Sequence, residues 1–180
     1  RFGNPTLCHS RQWFFCETNL LARGGEDEDR GMEKRRLGTS GIVVSEICMG
    51  TMTFGREADK AAARDIFNRC RDAGINFFDC ANVYSEGRAE TILGELISDC
   101  RNELVVSSKF GSPMGNGYNT QGGSRRHLIS SLEASLKRLD TDYIDIYFLH
   151  RFDEHTPLEE TLRALDHVVA QGKVRYTGVS

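Results

Sequence analysis

The stretch "INFFDCANVYSEGRAE", Ile75–Glu90, carries the pattern on which the fold class turns. Ile75, Phe77 and Phe78 form a short apolar run with the length and composition of a buried strand, and it stops on an acid, Asp79. Strands of parallel sheets bury both faces, so a carboxylate at the tip is costly unless a neighbour uses its charge. A phenol, Tyr84, follows in the next loop. Beyond it Ala89, Leu93 and Leu96 repeat at helical spacing.

The same strand-then-helix unit recurs on both sides. Apolar stripes at Ala62, Ile66, Cys70, Ala73, at Leu128, Leu132, Leu136, Leu139 and at Leu158, Leu162, Leu165, Val169 predict three more helices. Asp59 and Ser124 are placed to cap two of them, and "TPLE" at Thr156–Glu159 combines a capping box with proline at the first helical position. Gly74 and Gly172 stand just past the last apolar residue, where helices stop. The strand candidates are Ser45–Met49, Asn76–Asp79, Leu104–Lys109, Ile144–His150 and Val174–Ser180. Ahead of them "RRLGTSGIVV" reads as a hairpin around Thr39-Ser40-Gly41.

Alternation of strand and helix means a parallel sheet with helices outside, because parallel neighbours need a crossover. A doubly wound open sheet and an eight-fold barrel both satisfy it. Strand tips recur at near-regular intervals at Asp79, Lys109, His150 and Ser180, which suits the barrel, whose complete form takes roughly 250 residues. Five strands and four helices are expected here, so the chain ends mid-barrel with its first and fifth strands as unpaired edges.

Residues 1–31 lack periodicity and end in the charge run "GGEDEDRG". Pattern starts at Met32. The expectation is two parts: an appended or disordered segment, 1–31, and a partial barrel, 32–180.

Composition sets outer bounds. The 180 residues are 39% hydrophobic and 27% charged with net charge −3, an ordinary globular balance that offers no attraction to nucleic acid or an anionic membrane. No apolar run approaches the roughly 20 residues of a membrane span. Six cysteines without CxxC spacing point to a reduced, cytoplasmic protein without a structural metal. No G-x-G-x-x-G follows a strand, and "GTMTFG" lacks the Lys-Ser/Thr of a phosphate-binding loop. The Gly- and Asn-rich loop Phe110–Gly123 is long enough to enclose a substrate at a barrel mouth.

Asp79, Lys109 and His150 each end an apolar strand at its C-terminal tip, and in a barrel all such tips open on the face where chemistry is done. Singly, each has a plain explanation: a turn cap, a solvated strand end, a core histidine. Three titratable groups of complementary type at equivalent positions argue for a site. Tyr84 sits where it can turn back over the same mouth. A phenol gives up its proton reluctantly, and a nearby ammonium stabilises the phenolate left behind. Lys109 is the available cation, Asp79 its counter-charge, and a neutral His150 a hydrogen-bond donor to a substrate oxygen. Such a set protonates an oxygen that gains negative charge, as in carbonyl reduction by hydride, which implies a nicotinamide cofactor.

"RRLGTSGIVVSEICMGTMTFG", "FFDCANVYSEGRAE", "VVSSKFG", "YIDIYFLHRFD" and "GKVRYTGVS", in this order across Met32–Ser180, resemble the aldo-keto reductases. The resemblance implies a (β/α)8 TIM barrel closed below by an N-terminal hairpin, here truncated after strand five. It implies reduction of aldehydes or ketones with NADPH, with a small-molecule carbonyl as substrate. The family's catalytic Asp, Tyr, Lys and His fall on Asp79, Tyr84, Lys109 and His150, and its cofactor contacts on Gly50, Thr51, Met52, Asp79 and Ser180. Cys80 stands where the family often has Thr, and Ser85 where Gly is common. The family's Asn after Ser180, its pyrophosphate loop and its 2′-phosphate-binding basic residues fall outside these 180 residues, which implies that the piece alone is inactive. The alternatives are a non-catalytic family member resembling the potassium-channel β subunits, or a half-barrel without function.

Overall fold

The computed structural model describes residues 31–180 and the backbone of Trp13–Phe15. In chain order the elements are β1 (Trp13–Phe15), β2 (Lys34–Arg36), β3 (Val43–Ser45), β4 (Cys48–Gly50), α1 (Lys60–Asp72), β5 (Phe77–Asp79), α2 (Arg88–Ile97), β6 (Val105–Phe110), α3 (Arg125–Leu139), β7 (Ile144–Leu149), α4 (Leu158–Ala170) and β8 (Val174–Val179). The main sheet runs β1-β8-β7-β6-β5-β4, all neighbours parallel, and β2 pairs antiparallel with β3 as a separate hairpin. Strands β4 to β8 with the helices between them are five consecutive barrel strands. The expected fold class is the observed one.

The helices form where the apolar stripes lie. Asp59 accepts from the Ala62 N–H at 2.9 Å and Ser124 from the His127 N–H at 3.3 Å, so both expected caps are made. Gly74 and Gly172 take φ of 82° and 74°, the left-handed conformation that closes a helix. The expected capping box at Thr156 is not made. The Thr156 hydroxyl donates instead to Asp153 Oδ2 at 2.6 Å, and α4 starts from Pro157 without a side-chain cap.

Ser45–Met49, expected as one strand, is divided between two sheets. Ser45 ends the hairpin: its N–H donates to Asn76 Oδ1 at 2.6 Å and its hydroxyl to Ile47 O at 2.6 Å. The chain then restarts as β4 against β5. These two side-chain bonds turn the backbone out of the hairpin.

Side chains alternate across the sheet. Phe78, Val106, Phe110, Tyr147 and Leu149 join the helices in the larger core. Phe77, Val105, Ile146, Phe148 and Tyr176 face the other way and pack with Leu37, Ile42 and Val44 of the hairpin. The hairpin thus plugs the concave side of the curved sheet at one end, as expected of a barrel bottom. Asp79, Ser107, Lys109 and His150 continue this concave face toward the opposite end.

The outer edge of β8 is not bare. Trp13–Phe15 pairs with it, Trp13 opposite Thr177 and Phe15 opposite Val179. The remaining residues of the expected appended segment lie outside the described residues.

Candidate active site

Register places Asp79 beside Ser107 on adjacent strands, with Lys109 one concave-face position further along β6. Lys109 is buried, 7% exposed, and an ammonium there needs partners for all three of its N–H groups. It has them. Nζ donates to Asp79 Oδ2 at 2.5 Å, to the Cys80 carbonyl at 2.9 Å and to the Tyr84 hydroxyl oxygen at 3.2 Å. Burial works against the charge, but the Asp79 carboxylate, and after it the Tyr84 oxygen, outweigh burial and hold the Lys109 pKa above the ordinary lysine value.

Tyr84 reaches that point because the loop before it is held to β6. The Cys80 N–H donates to Ser107 O at 2.9 Å and the Asn82 N–H to Lys109 O at 3.2 Å, extending the β5–β6 ladder past the strand end. The chain then makes a 3-10 turn, Tyr84–Gly87, in which Ser85 and Glu86 take φ of 50° and 59°. That left-handed region costs a non-glycine residue about 1 kcal/mol. Ser85 recovers it through a tertiary bond, its hydroxyl donating to Phe54 O at 2.7 Å. This is the physical account of serine where the family commonly has glycine.

His150, just past β7, presents its ring edge-on to Tyr84, with centroids 6.1 Å apart. Its backbone N–H donates to Phe110 O at 2.8 Å, and Ser112 Oγ lies 3.4 Å from Nδ1. Burial, then the positive charges of Lys109 and Arg151, push its pKa below the ordinary histidine value against the pull of Asp79. This favours the neutral imidazole.

The residues expected to hold a cofactor flank this group. Gly50 pairs in register with Asp79, and a Cβ added to it would meet nothing within 4 Å, so space stands open there. Thr51 is fully buried, its N–H and hydroxyl both donating to Asp79 O at 2.9 and 3.0 Å. Met52 is 60% exposed. Ser180 is exposed at the end of β8, its N–H bonded to Leu149 O at 2.9 Å. The structure therefore gathers Asp79, Tyr84, Lys109 and His150 at one mouth, sets Gly50 and Thr51 against Asp79, and leaves Met52 and Ser180 at the solvent.

Ser107 and Ser112 escaped the sequence reading. Ser107 lies two residues before Lys109 in a wholly buried strand, and that period-2 spacing onto the lysine's face was the available signal. Cys80 is fully buried, and burial, then Glu90, pushes its thiol up to about 12. It packs as a small apolar residue. The Phe110–Gly123 loop is organised by Gly122 N–H to Gly111 O, Met114 N–H to Thr120 O and the Gly123 N–H bond to Asp153 Oδ2 at 2.7 Å. Among the described residues no three His, Cys, Asp or Glu side chains cluster as metal ligands, and no helix is long and apolar enough to cross a membrane.

The chain is 44% identical over 155 residues to a probable voltage-gated potassium channel subunit beta of Arabidopsis thaliana, and 45% identical over 153 residues to one of Oryza sativa subsp. japonica. Each alignment covers 83% of this chain and 46% of the relative, so the chain spans about half the length of the curated relatives it matches. Among solved structures, an aldo-keto reductase from Bacillus halodurans in its holo form superposes with a TM-score of 0.76 at 34% identity, over 83% of this chain and 50% of that one. A thermostable aldo-keto reductase solved with the inhibitor epalrestat gives 0.72 at 33% identity, over 82% and 53%. The model of the Aldo/keto reductase family matches residues 46–180, from the first barrel strand through all four site residues, and the chain belongs to that family.

Proposed function

We propose that the chain forms the proton-donating side of a carbonyl reductase that takes its reducing equivalents from NADPH. The observation that carries this is the direction of the Lys109–Tyr84 bond. An ammonium has only donors. At 3.2 Å it therefore donates a hydrogen bond to the phenol oxygen, and the phenol's own proton is left to point elsewhere. As a substrate carbonyl is reduced and its oxygen gains charge, Tyr84 donates that proton. Lys109 stabilises the phenolate and Asp79 keeps Lys109 charged and aimed. Neutral His150 gives a second hydrogen bond that fixes the carbonyl's angle. General-acid assistance of this type is worth about 10²–10⁴ in rate.

A reduced nicotinamide, when bound, supplies the hydride. The donor set fits it, since these four side chains furnish a proton and hydrogen bonds but no reductant, and the open space at Gly50 lies beside Asp79. Gly50, Thr51, Met52, Asp79 and Ser180 would hold it, Thr51 by fixing the first-strand loop to Asp79 O through its N–H and hydroxyl. The site belongs in a reducing compartment such as the cytoplasm, where its buried thiol persists.

The test is a fluorescence titration with NADPH followed by turnover on a panel of aldehydes and ketones. It is run on this chain and on a chimera that completes the barrel from the Bacillus halodurans structure. Aldehyde-dependent oxidation of NADPH by the chimera supports the reading; saturable binding with no turnover of any carbonyl counts against it.

A second reading follows from the names of the plant relatives, a channel subunit whose reductase site serves binding. Co-purification of the chimera with a voltage-gated potassium channel, together with absent turnover, would favour it.

A further inference from the structure

Asp79 has two carboxylate oxygens, and Lys109 uses one. The other, Oδ1, accepts from the Ser107 hydroxyl at 2.6 Å. Ser107 is fully buried, sits beside Asp79 in the β5–β6 register and shares the concave face with it. Its carbonyl also accepts the Cys80 N–H at 2.9 Å, so the same residue holds the Asp79 side chain and the first residue of the Tyr84 loop.

A carboxylate turns easily about its last torsion. Asp79 is partly open to water, its side chain 27% exposed, so one bond to Lys109 would leave it able to swing toward solvent. A second bond at the other oxygen fixes the carboxylate plane, and a donor at an anion also favours its ionised form. The consequence passes along a chain of contacts: Ser107 to Asp79, Asp79 to Lys109, Lys109 to Tyr84.

We propose that Ser107 is a positioning residue for the proton donor, holding Asp79 in the rotamer that keeps the Lys109 ammonium against the Tyr84 oxygen. This rests on the proton-donor reading of Tyr84 above. The charged or titratable groups around the chain of contacts are Asp79 on β5, Lys109 on β6, Tyr84 in the turn after β5, and His150 and Arg151 after β7. Glu90 of α2, paired with Arg138 of α3, lies on the helix side. Among the described residues none of them offers a second donor to Asp79 Oδ1, which takes the serine.

The experiment is a lysine side-chain NMR titration of the chain, with the Lys109 signal assigned by its loss in Lys109→Arg, in wild type and in Ser107→Ala, Ser107→Cys and Ser107→Thr. The wild-type signal is expected to titrate above the ordinary lysine value of roughly 10.4. Ser107→Ala is expected to bring it down by about one unit, since the facing charge is then loosely held. Ser107→Thr, which keeps the hydroxyl, restores it. In the completed barrel Ser107→Ala lowers kcat about tenfold with KM little changed, and the alkaline limb of the pH profile moves with the NMR value. A folded Ser107→Ala whose Lys109 titrates as in wild type overturns the proposal and leaves Ser107 as packing. If Ser107→Ala fails to fold, Ser107→Cys, of similar volume and a weak donor, decides by the same signal. The titration needs no turnover, so it gives its answer even where the carbonyl-reductase reading fails.

Discussion

Lys109 Nζ lies 3.2 Å from the Tyr84 hydroxyl oxygen, and its other two N–H groups are taken by Asp79 and the Cys80 carbonyl. The cation is therefore aimed, not merely nearby. A lysine with fewer partners would rotate among waters. This one has every donor committed, so its charge is held against the phenol oxygen.

Removing the counter-charge should be costly. Asp79→Asn leaves the Lys109 ammonium buried against a neutral amide, and breaking such a pair costs about 3 kcal/mol when one partner retains some solvent. Urea denaturation should show the loss at neutral pH. The pH sign follows from Lys109, whose folded pKa lies above the ordinary 10.5. Its contribution is complete below that value and is lost as pH rises through the folded value. Wild type and Asp79→Asn should thus converge in stability at strongly alkaline pH; parallel curves throughout would refute this coupling.

The helix side carries a second ion pair. Glu90 is fully buried and accepts from Arg138 Nε at 2.7 Å and Ser108 Oγ at 2.6 Å, joining α2, α3 and β6. Arg138→Met strands that carboxylate and should destabilise by ~3–5 kcal/mol, measured by the urea midpoint. A loss under 1 kcal/mol would mean the pair contributes little.

Gly94 is set by packing. A Cβ there would stand 2.6 Å from Leu139 O and 2.7 Å from its carbonyl carbon, where α2 crosses the end of α3. Gly94→Ala gains about 1 kcal/mol in helix propensity yet forces backbone apart, for a net loss of about 2 kcal/mol. Gly41→Ala, whose Cβ meets nothing within 4 Å, is the control and should fall within about 0.5 kcal/mol of wild type in thermal melts.

Acid should release the Phe110–Gly123 loop. Asp153 accepts from Thr156 Oγ1, Gly123 N–H and His155 N–H, and the Thr156 and Gly123 bonds lead in lowering its pKa from 3.8 to about 2. A depressed carboxyl stabilises above its unfolded pKa and loses that stabilisation as pH falls from there through its folded pKa. Hydrogen exchange at the Gly123 amide should therefore lose protection across that window. Asp153→Asn should show faster exchange at neutral pH and no further acid transition. Unchanged protection in the variant would sink the assignment.

What could be read from the chain divides along physical lines. The four helices were legible because each needs one apolar stripe, a local property. Asp79, Lys109 and His150 were legible because strand tips of a parallel sheet share one end. The split of Ser45–Met49 was not, since it depends on Asn76, a tertiary partner far along the chain. The Thr156 cap failed because Asp153 competes for its hydroxyl. Tyr84's final orientation depends on Ser85 and Glu86 in left-handed conformations that neither residue favours alone. Ser107 was hidden by its plainness: a small residue in a strand announces nothing until a carboxylate is beside it.

The central claim is that Tyr84 delivers the proton. Its most direct test is Tyr84→Phe in the completed barrel, with NADPH and an aldehyde, under single-turnover conditions. The account predicts unchanged NADPH binding and a rate lowered by about 10²–10⁴. A Tyr84→Phe protein that reduces the aldehyde at the wild-type rate would contradict it.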